Sequence, residues 1–465
     1  MFFQKVHTPE LAINSYLIGD EMSKTCAVID PARPVTPYIM AAESAGLTIT
    51  VILETHVHAD FVSGASELRA QLKGKPRIYC SSMGGEEWIP AYADEKVKDK
   101  DRIEIGSVCL EAFHSPGHTP EHLMWVVYDG MRTKKIPCLI FSGDCIFVGS
   151  VGRPDLLGEN EFERLAKCLY QTIHFSLSQL CDSVEIFPGH GAGSLCGKAL
   201  GGLASTTLGY ERESNPYFLP MDESGWLSLI RTGLPAIPPY FSRVKALNRS
   251  GPPLVESLKV EVLKTEMELS SKNLFFLDIR HPEAFARFHF AGSINIPMTS
   301  SFCQWAGWLI PPNNPLGIIN DQAAHFSETI AKLRLIGFDQ PIFTFTMNEE
   351  AEKKALHPSC FCYLSAEEIA NRLKFEKDRI FILDVRSEPE WKSGHIADAC
   401  HIELNQLCQK MHVLPQDRLI AVICRSGMRA SSGASLLKKF GFQKVTNVKG
   451  GMQAWDQLKL PTFKI

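Results

Sequence analysis

The chain has 465 residues, 45% of them hydrophobic and 22% charged, and its 48 basic and 52 acidic side chains leave a formal net charge of −4. This length predicts about three domains, and so weak a negative balance excludes the broad basic face that nucleic acid or an anionic membrane would need. No apolar run of about 18 residues predicts a membrane span. The first residues lack a charged segment followed by an apolar one, and the 14 cysteines are spread along the whole chain. Reduced thiols and a cytoplasmic location are therefore expected.

Residues 1–240 alternate short apolar strands with helical stretches and glycine-rich turns, an α/β layered pattern. Strands are predicted over 15–18, 26–30, 47–53, 77–80, 123–128, 138–141 and 184–187, with polar motifs at their ends. The run 47–53 leads into Thr55-His56-Val57-His58-Ala59-Asp60-Phe61. Alternate side chains of an extended segment share a face, so His56, His58 and Asp60 can all point into one site at the carboxyl end of a strand. Position 61 is Phe, where a further imidazole would complete a two-metal cluster. Three more polar points follow: the stretch from His114 through Gly117-His118 to His122, then Ser142-Gly143-Asp144, then Pro188-Gly189-His190-Gly191. Imidazoles and carboxylates gathered at strand ends suit a borderline divalent metal.

Between Leu234 and Pro253, the prolines at 235, 238, 239, 252 and 253 predict a linker or wrapping segment. An internal repeat follows. Phe275-Phe276-Leu277-Asp278-Ile279-Arg280 matches Phe381-Ile382-Leu383-Asp384-Val385-Arg386 at an offset of 106, which also pairs Phe285 with Trp391 and His289 with His395. Two copies of one α/β domain are expected, over 255–362 and 363–465, with Ser365-Ala366-Glu367-Glu368 as a helix start. The second copy carries Cys424-Arg425-Ser426-Gly427-Met428-Arg429 between an apolar strand and a helix. Converging backbone N–H groups, the helix end, Arg425 and Arg429 all favour a thiolate on Cys424. In the first copy Asn320 stands where Cys424 does, and His325 where Arg429 does. Its apolar insert 305–312 could cover another surface or simply pack into the core.

The order His-x-His-x-Asp, Pro-Gly-His-Thr, Ser-Gly-Asp, Pro-Gly-His-Gly over about residues 1–235 resembles the metallo-β-lactamase superfamily. Hydrolases of its glyoxalase II branch carry an imidazole directly after the Asp, where this chain has Phe61. The Thr-His-x-His-Ala-Asp pattern looks more like the persulfide dioxygenase branch, whose members hold one ferrous ion. That resemblance implies one Fe(2+) per chain on His56, His118 and Asp144, with His58, Asp60 and His190 as supporting groups, although His58 stays open as a direct ligand. It also implies that Arg153 could hold a carboxylate of the carrier thiol, the alternative being a loop salt bridge with Asp155. Cys196 reads as a site thiol or an inert buried one.

The Cys424 loop, with Asp384-Val385-Arg386, Gly394-His395-Ile396 and Gly450-Gly451-Met452, resembles the rhodanese family of sulfurtransferases. Cys424, Arg425 and Arg429 would be catalytic there, and Ser426, Gly427 and Met428 would bind substrate. The fold implied is an αββα metallo-β-lactamase sandwich followed by two α/β rhodanese-like domains, the first degenerate and acting as a scaffold. The activity implied is oxidation of a low-molecular-weight persulfide of glutathione, coenzyme A or cysteine by O2 to sulfite, coupled to thiosulfate formation in sulfide detoxification. The alternative is a zinc, Zn(2+), thioester hydrolase of the glyoxalase II kind with a sulfur-carrier domain. A homo-oligomer is expected.

Overall fold

The computed structural model describes residues 1–353 and 357–464. They form two compact units, one of Met1–Ser257 with Ala331–Phe338 and one of Leu258–Ile330 with Asp339–Ile465.

In the first unit β1 (Phe2–Thr8), β2 (Ile13–Asp20), β3 (Thr25–Ile29), β4 (Thr48–Leu53), β5 (Arg77–Ser81) and β6 (Glu95–Val97) form a six-stranded sheet in chain order. A second six-stranded sheet has the order β14-β13-β10-β9-β8-β7. It comprises β7 (Arg102–Ile105), β8 (Val108–His114), β9 (Leu123–Asp129), β10 (Leu139–Gly143), β13 (Glu185–Pro188) and β14 (Thr206–Thr207). A small hairpin of β11 (Ile146–Phe147) and β12 (Ser150–Val151) follows β10.

The period-2 alternation of these strands builds three apolar layers. Tyr16, Ile18, Ala27, Ile29 and Leu53 meet Leu110, Trp125, Val127 and Phe141 between the sheets. The opposite face of the first sheet, with Leu17, Val28 and Ile52, buries Tyr38 of α1 (Thr36–Ser44) and Leu68 of α2 (Ala65–Gln71). On the outer face of the second sheet, Met124, Val126, Ile140 and Ile186 pack against Phe162 and Leu169 of α3 (Glu159–His174). Each such fully buried side chain stabilises the fold by about 1.5–3 kcal/mol. The result is the αββα sandwich.

Of the two readings of 234–253, linker or wrapping segment, the structure shows the second, with a helix over much of it. After α4 (Leu208–Ser214) and α5 (Glu223–Arg231) comes α6 (Tyr240–Ser250), and the first unit runs on to Ser257. Pro238 and Pro239 sit just before α6, where a missing N–H costs a helix nothing. These two prolines mark a helix start, while Pro252 and Pro253 follow the helix, shortly before the first unit ends at Ser257. Asn248 of α6 is buried against the turn after β4: its amide donates to the carbonyls of His58 and Phe61, both at 2.8 Å, and accepts from Ser63 N–H at 2.9 Å. Residues 331–338 also belong to this unit, where Val62 N–H donates to the Leu335 carbonyl at 2.8 Å.

The second unit contains the repeat as two five-stranded parallel sheets. One has the order β15-β20-β19-β16-β18 and the other β22-β26-β25-β23-β24. The strands of the first are β15 (Val260–Leu263), β16 (Phe275–Asp278), β18 (Ile294–Asn295), β19 (Leu316–Asn320) and β20 (Ile342–Thr346). Those of the second are β22 (Cys362–Ser365), β23 (Ile380–Asp384), β24 (Cys400–His401), β25 (Leu419–Ile423) and β26 (Val445–Lys449). Strands β17 (His289–Phe290) and β21 (Pro358–Ser359) pair separately. Corresponding strands occupy corresponding places, so both copies keep one topology while forming a single compact unit. The helix Phe302–Leu309 buries Phe302, Cys303, Ala306 and Leu309, while Trp305 and Trp308 of the insert are half-buried. Among the described residues no helix is long and apolar enough to cross a membrane.

Candidate metal centre and candidate sulfur loop

Strand β4 delivers His56, the β8–β9 connection delivers His118, and the end of β10 delivers Asp144. All three are buried, and one ligand atom from each lies within 4.8 Å of the others. His56 Nε2 is 3.8 Å and His118 Nε2 is 3.5 Å from Asp144 Oδ2. His56 Nε2 and Asp144 Oδ2 are buried without a hydrogen-bond partner, a costly arrangement that a cation between them relieves.

The surroundings fix which nitrogen is bare. His118 Nδ1 lies 2.9 Å from the Arg153 carbonyl, which only accepts, so Nδ1 carries the proton and Nε2 offers its lone pair. Thr55 Oγ1 donates to Asp30 Oδ2 at 2.7 Å and therefore accepts from His56 Nδ1 at 2.9 Å. Burial, reinforced by neighbouring imidazoles, holds His56 well below its ordinary pKa, and burial lowers His118 too. Burial opposes ionisation of Asp144, but His190 and His118 outweigh it and keep the carboxyl below the usual range. Two neutral imidazoles and a carboxylate fit a divalent metal with open positions.

His190 does not join them. Its Nδ1 is 2.7 Å from Asp144 Oδ1 and its Nε2 is 2.8 Å from Asp60 Oδ2. Burial disfavours its charge, yet the two carboxylates raise its pKa to about 10. His58 is turned towards a buried acidic pair, with Nε2 3.2 Å from Asp30 Oδ1 and 3.4 Å from Glu54 Oε2. Its ring packs 4.2 Å from His56 and 4.2 Å from Phe61, and Phe61 is wholly buried. Asp60, His190 and Cys196 form a second close group, in which His190 Nδ1 is bonded to Asp144 while Nε2, though close to Asp60, makes no hydrogen bond. Burial and nearby Asp60 push the Cys196 thiol well up, keeping it protonated.

The substrate role for Arg153 is corrected. Its guanidinium, 1% exposed, grips Asp155 with two bonds of 2.7 Å and donates to the Leu195 and Pro235 carbonyls at 3.0 and 2.6 Å. The carboxylate held by its fork is the protein's own. Sequence reasoning missed Thr55 and Asp30 as partners of His56. It also missed His122, whose Nε2 accepts Asp144 N–H at 3.1 Å. Asp30 was visible as the polar residue ending an apolar strand, and His122 as one of the histidines of the 114–122 stretch.

In the second unit Cys424 is buried at the end of β25, and Gly427, at φ +94°, opens the helix Met428–Lys439. That left-handed turn aims Gly427 N–H at Cys424 Sγ, 3.1 Å away. Asn447 of β26 donates to the Gly427 carbonyl at 3.0 Å and holds the turn. Ser426 and Met428 are half-buried beside it and Arg425 is exposed. Arg429 lies near enough to Cys424 for the two charges to interact, as expected, and it is also paired. Both its terminal nitrogens are 2.6 Å from the Glu390 carboxylate, whose pKa Arg429 holds at about 2 against burial. In the first copy the Asn320 amide donates to the Gln322 carbonyl at 2.8 Å, closing a loop that has no thiol. Asn295 of that copy is buried against the second copy's helix: its Oδ1 accepts from Ser431 Oγ at 2.5 Å, and its backbone N–H donates to Ser435 Oγ at 3.0 Å.

Comparison with known proteins agrees with this geometry. Residues 8–190 match the metallo-β-lactamase superfamily and residues 365–458 the rhodanese-like domain. A crystal structure of a metallo-β-lactamase from Staphylococcus aureus superposes with a TM-score of 0.67 and 33% identity, covering 75% of this chain and 99% of that one. The human mitochondrial persulfide dioxygenase ETHE1 is 28% identical over 217 residues, 46% of this chain and 75% of that protein. The hydroxyacylglutathione hydrolase GloC of Haemophilus influenzae is also 28% identical, over 219 residues, 44% of this chain and 92% of that protein. A buried His-His-Asp site on an αββα sandwich and a cysteine loop on a parallel sheet thus occur together, and the chain belongs to the metallo-β-lactamase superfamily, with a rhodanese-like domain over residues 365–458.

Proposed function

We propose that the first unit is a non-haem iron persulfide dioxygenase and that the Cys424 loop is a sulfurtransferase, acting together in disposal of sulfide in a reducing, cytoplasmic setting. The observation that carries this reading is the buried set His56, His118 and Asp144, with Phe61 beside it and Asp60 and His190 turned to each other. The first reaction is RSSH + O2 + H2O giving RSH, sulfite and two protons. A ferrous ion held by His56, His118 and Asp144 would supply the positions at which persulfide and O2 meet and the electrons that activate O2. The chain supplies the rest. Thr55 and the Arg153 carbonyl keep the two imidazoles oriented. His190 holds Asp144 through one oxygen so that the other stays directed inward. Phe61 and Phe147 exclude water from that side.

In the second reaction the Cys424 thiolate attacks the outer sulfur of a persulfide, forming a Cys424 persulfide and releasing the thiolate RS⁻. Sulfite then attacks that outer sulfur, giving thiosulfate and restoring Cys424. Gly427 N–H donates to Cys424 Sγ and so stabilises the attacking thiolate.

The similarity to a hydroxyacylglutathione hydrolase supports a second reading, zinc-dependent thioester hydrolysis through metal-bound hydroxide. Metal analysis together with an oxygen-electrode trace on glutathione persulfide separates the two. Oxygen uptake by iron-loaded protein, with one sulfite formed per O2, is the expected result. Turnover of S-lactoylglutathione with no oxygen consumption in iron-loaded protein would replace the dioxygenase reading with the hydrolase one.

A further inference from the structure

With Arg153 committed to Asp155, the persulfide reading leaves the charge on the carrier thiol without a partner. Helix α6 offers one. Lys245, Asn248 and Arg249 are spaced three and four residues apart, so they share a face. Asn248 anchors that face to the metal loop through the carbonyls of His58 and Phe61. Lys245 Nζ donates to the Leu156 carbonyl at 3.4 Å, and Leu156 lies three residues beyond Arg153, whose carbonyl holds His118. The ammonium thus touches the segment whose Arg153 carbonyl holds His118, and its helix touches the loop that follows His56.

Both cations also lie over one aromatic ring. Lys245 Nζ is 6.0 Å and Arg249 Cζ is 5.5 Å from the centre of the Trp88 indole, which is itself buried. Among the described residues neither cation is in an ion pair with a carboxylate. Burial, with Arg249 beside it, depresses the Lys245 pKa, and Glu121 works weakly the other way. Glu121 is a poor counter-charge, because burial pushes its carboxyl up to about 7 and Val57 N–H occupies Oε1 at 2.8 Å. Two unpaired, half-buried cations on one aromatic platform make a site for an anion.

We propose that Lys245 and Arg249, set over Trp88, form the subsite that binds a carboxylate of the carrier thiol and so orients its sulfur towards the metal centre. This assignment rests on the persulfide reading for its substrate class, and it makes α6 the element that selects the carrier. A persulfide of a small neutral thiol lacks the anion the subsite takes and is expected to be a poor substrate.

The test is calorimetric binding of S-methylglutathione, which has the carboxylates but no oxidisable persulfide, to the metal-loaded full chain. Lys245→Gln and Arg249→Gln are each expected to weaken binding at least tenfold, and Lys245→Arg to keep it within about threefold of the parent. With glutathione persulfide the same Gln variants are expected to raise KM by a similar factor and to change kcat less than threefold, with metal content unaltered. Binding that is absent in the parent, or equal in parent and Gln variants, overturns the proposal. If coenzyme A binds in place of S-methylglutathione with the same dependence on Lys245, the carboxylate assignment is overturned in favour of a phosphate. If S-methylglutathione binds through Lys245 but no persulfide drives oxygen uptake, the subsite stands and the dioxygenase reading falls.

Discussion

Exchanging Thr55 for Val removes a hydroxyl that accepts the His56 Nδ1 proton and passes the contact to Asp30. The imidazole then loses the partner that fixes its tautomer. A Thr55→Val chain is expected to bind its metal about 10–100-fold more weakly, measurable by competition with a chelator, with the fold unchanged by circular dichroism. His118→Ala or Asp144→Asn should drop metal stoichiometry from near one per chain towards zero. Phe61→His adds the imidazole that the neighbouring Asp60 and His190 lack. A rise from one bound metal towards two, read by elemental analysis, is the expected outcome, and a value staying at one would show that the Asp60–His190 pair does not open. The ligands themselves were legible in the sequence because metal binding demands particular side chains at strand ends. Their partners were not: residues 30 and 55 meet only because β3 and β4 lie side by side. Arg153 was ambiguous for a related reason, since a guanidinium fork reads any carboxylate and sequence does not say whose.

At the scale of elements, α6 is the least legible part of the first unit. Five prolines between 234 and 253 suggested a linker or a wrapping segment without choosing between them, and two of them precede a helix that clasps the metal loop. Asn248→Ala would leave the His58 and Phe61 carbonyls and the Ser63 N–H unpartnered in a buried place. A loss of about 2–4 kcal/mol is expected, read as a lower denaturant midpoint together with easier loss of metal. In the second unit, the Glu390–Arg429 pair ties the helix Glu388–Ser393 to the helix that follows the sulfur loop. The Glu390 carboxyl is held at about 2 when folded and titrates near 4.3 when unfolded. Its contribution is therefore complete above about pH 4.3 and disappears as pH falls through 2. Glu390→Gln should lower stability at neutral pH and flatten the acid limb between those values. Equal acid limbs in both chains would show that the pair contributes nothing.

The repeat gave away the architecture of the second unit, because an offset of 106 between matching strands can only mean the same sheet built twice. What it did not convey is that the two copies close into one compact unit. That depends on Asn295 meeting Ser431 and Ser435, short polar side chains with no pattern to betray them. The copy without a thiol thereby braces the helix that begins at the sulfur loop. Asn295→Leu strands the buried Ser431 hydroxyl and the Asp278 and Arg280 carbonyls that the amide serves, so it should cost about 1–3 kcal/mol and slow sulfur transfer by Cys424 in a rhodanese assay, while oxygen uptake by the first unit is unchanged.

The inclusion of residues 331–338 in the first unit bears on how the protein is made. The ribosome finishes Ser257 some 80 residues before it supplies the segment whose Leu335 carbonyl caps Val62 N–H. At roughly 5–20 residues per second that is a wait of about 4–16 s, during which the turn bearing His56 lacks its last backbone partner. Synthesis order thus delays completion of the metal site until much of the first repeat has emerged, and a gene cut after codon 257 is expected to yield protein that retains its sandwich but loses metal more readily than the full chain.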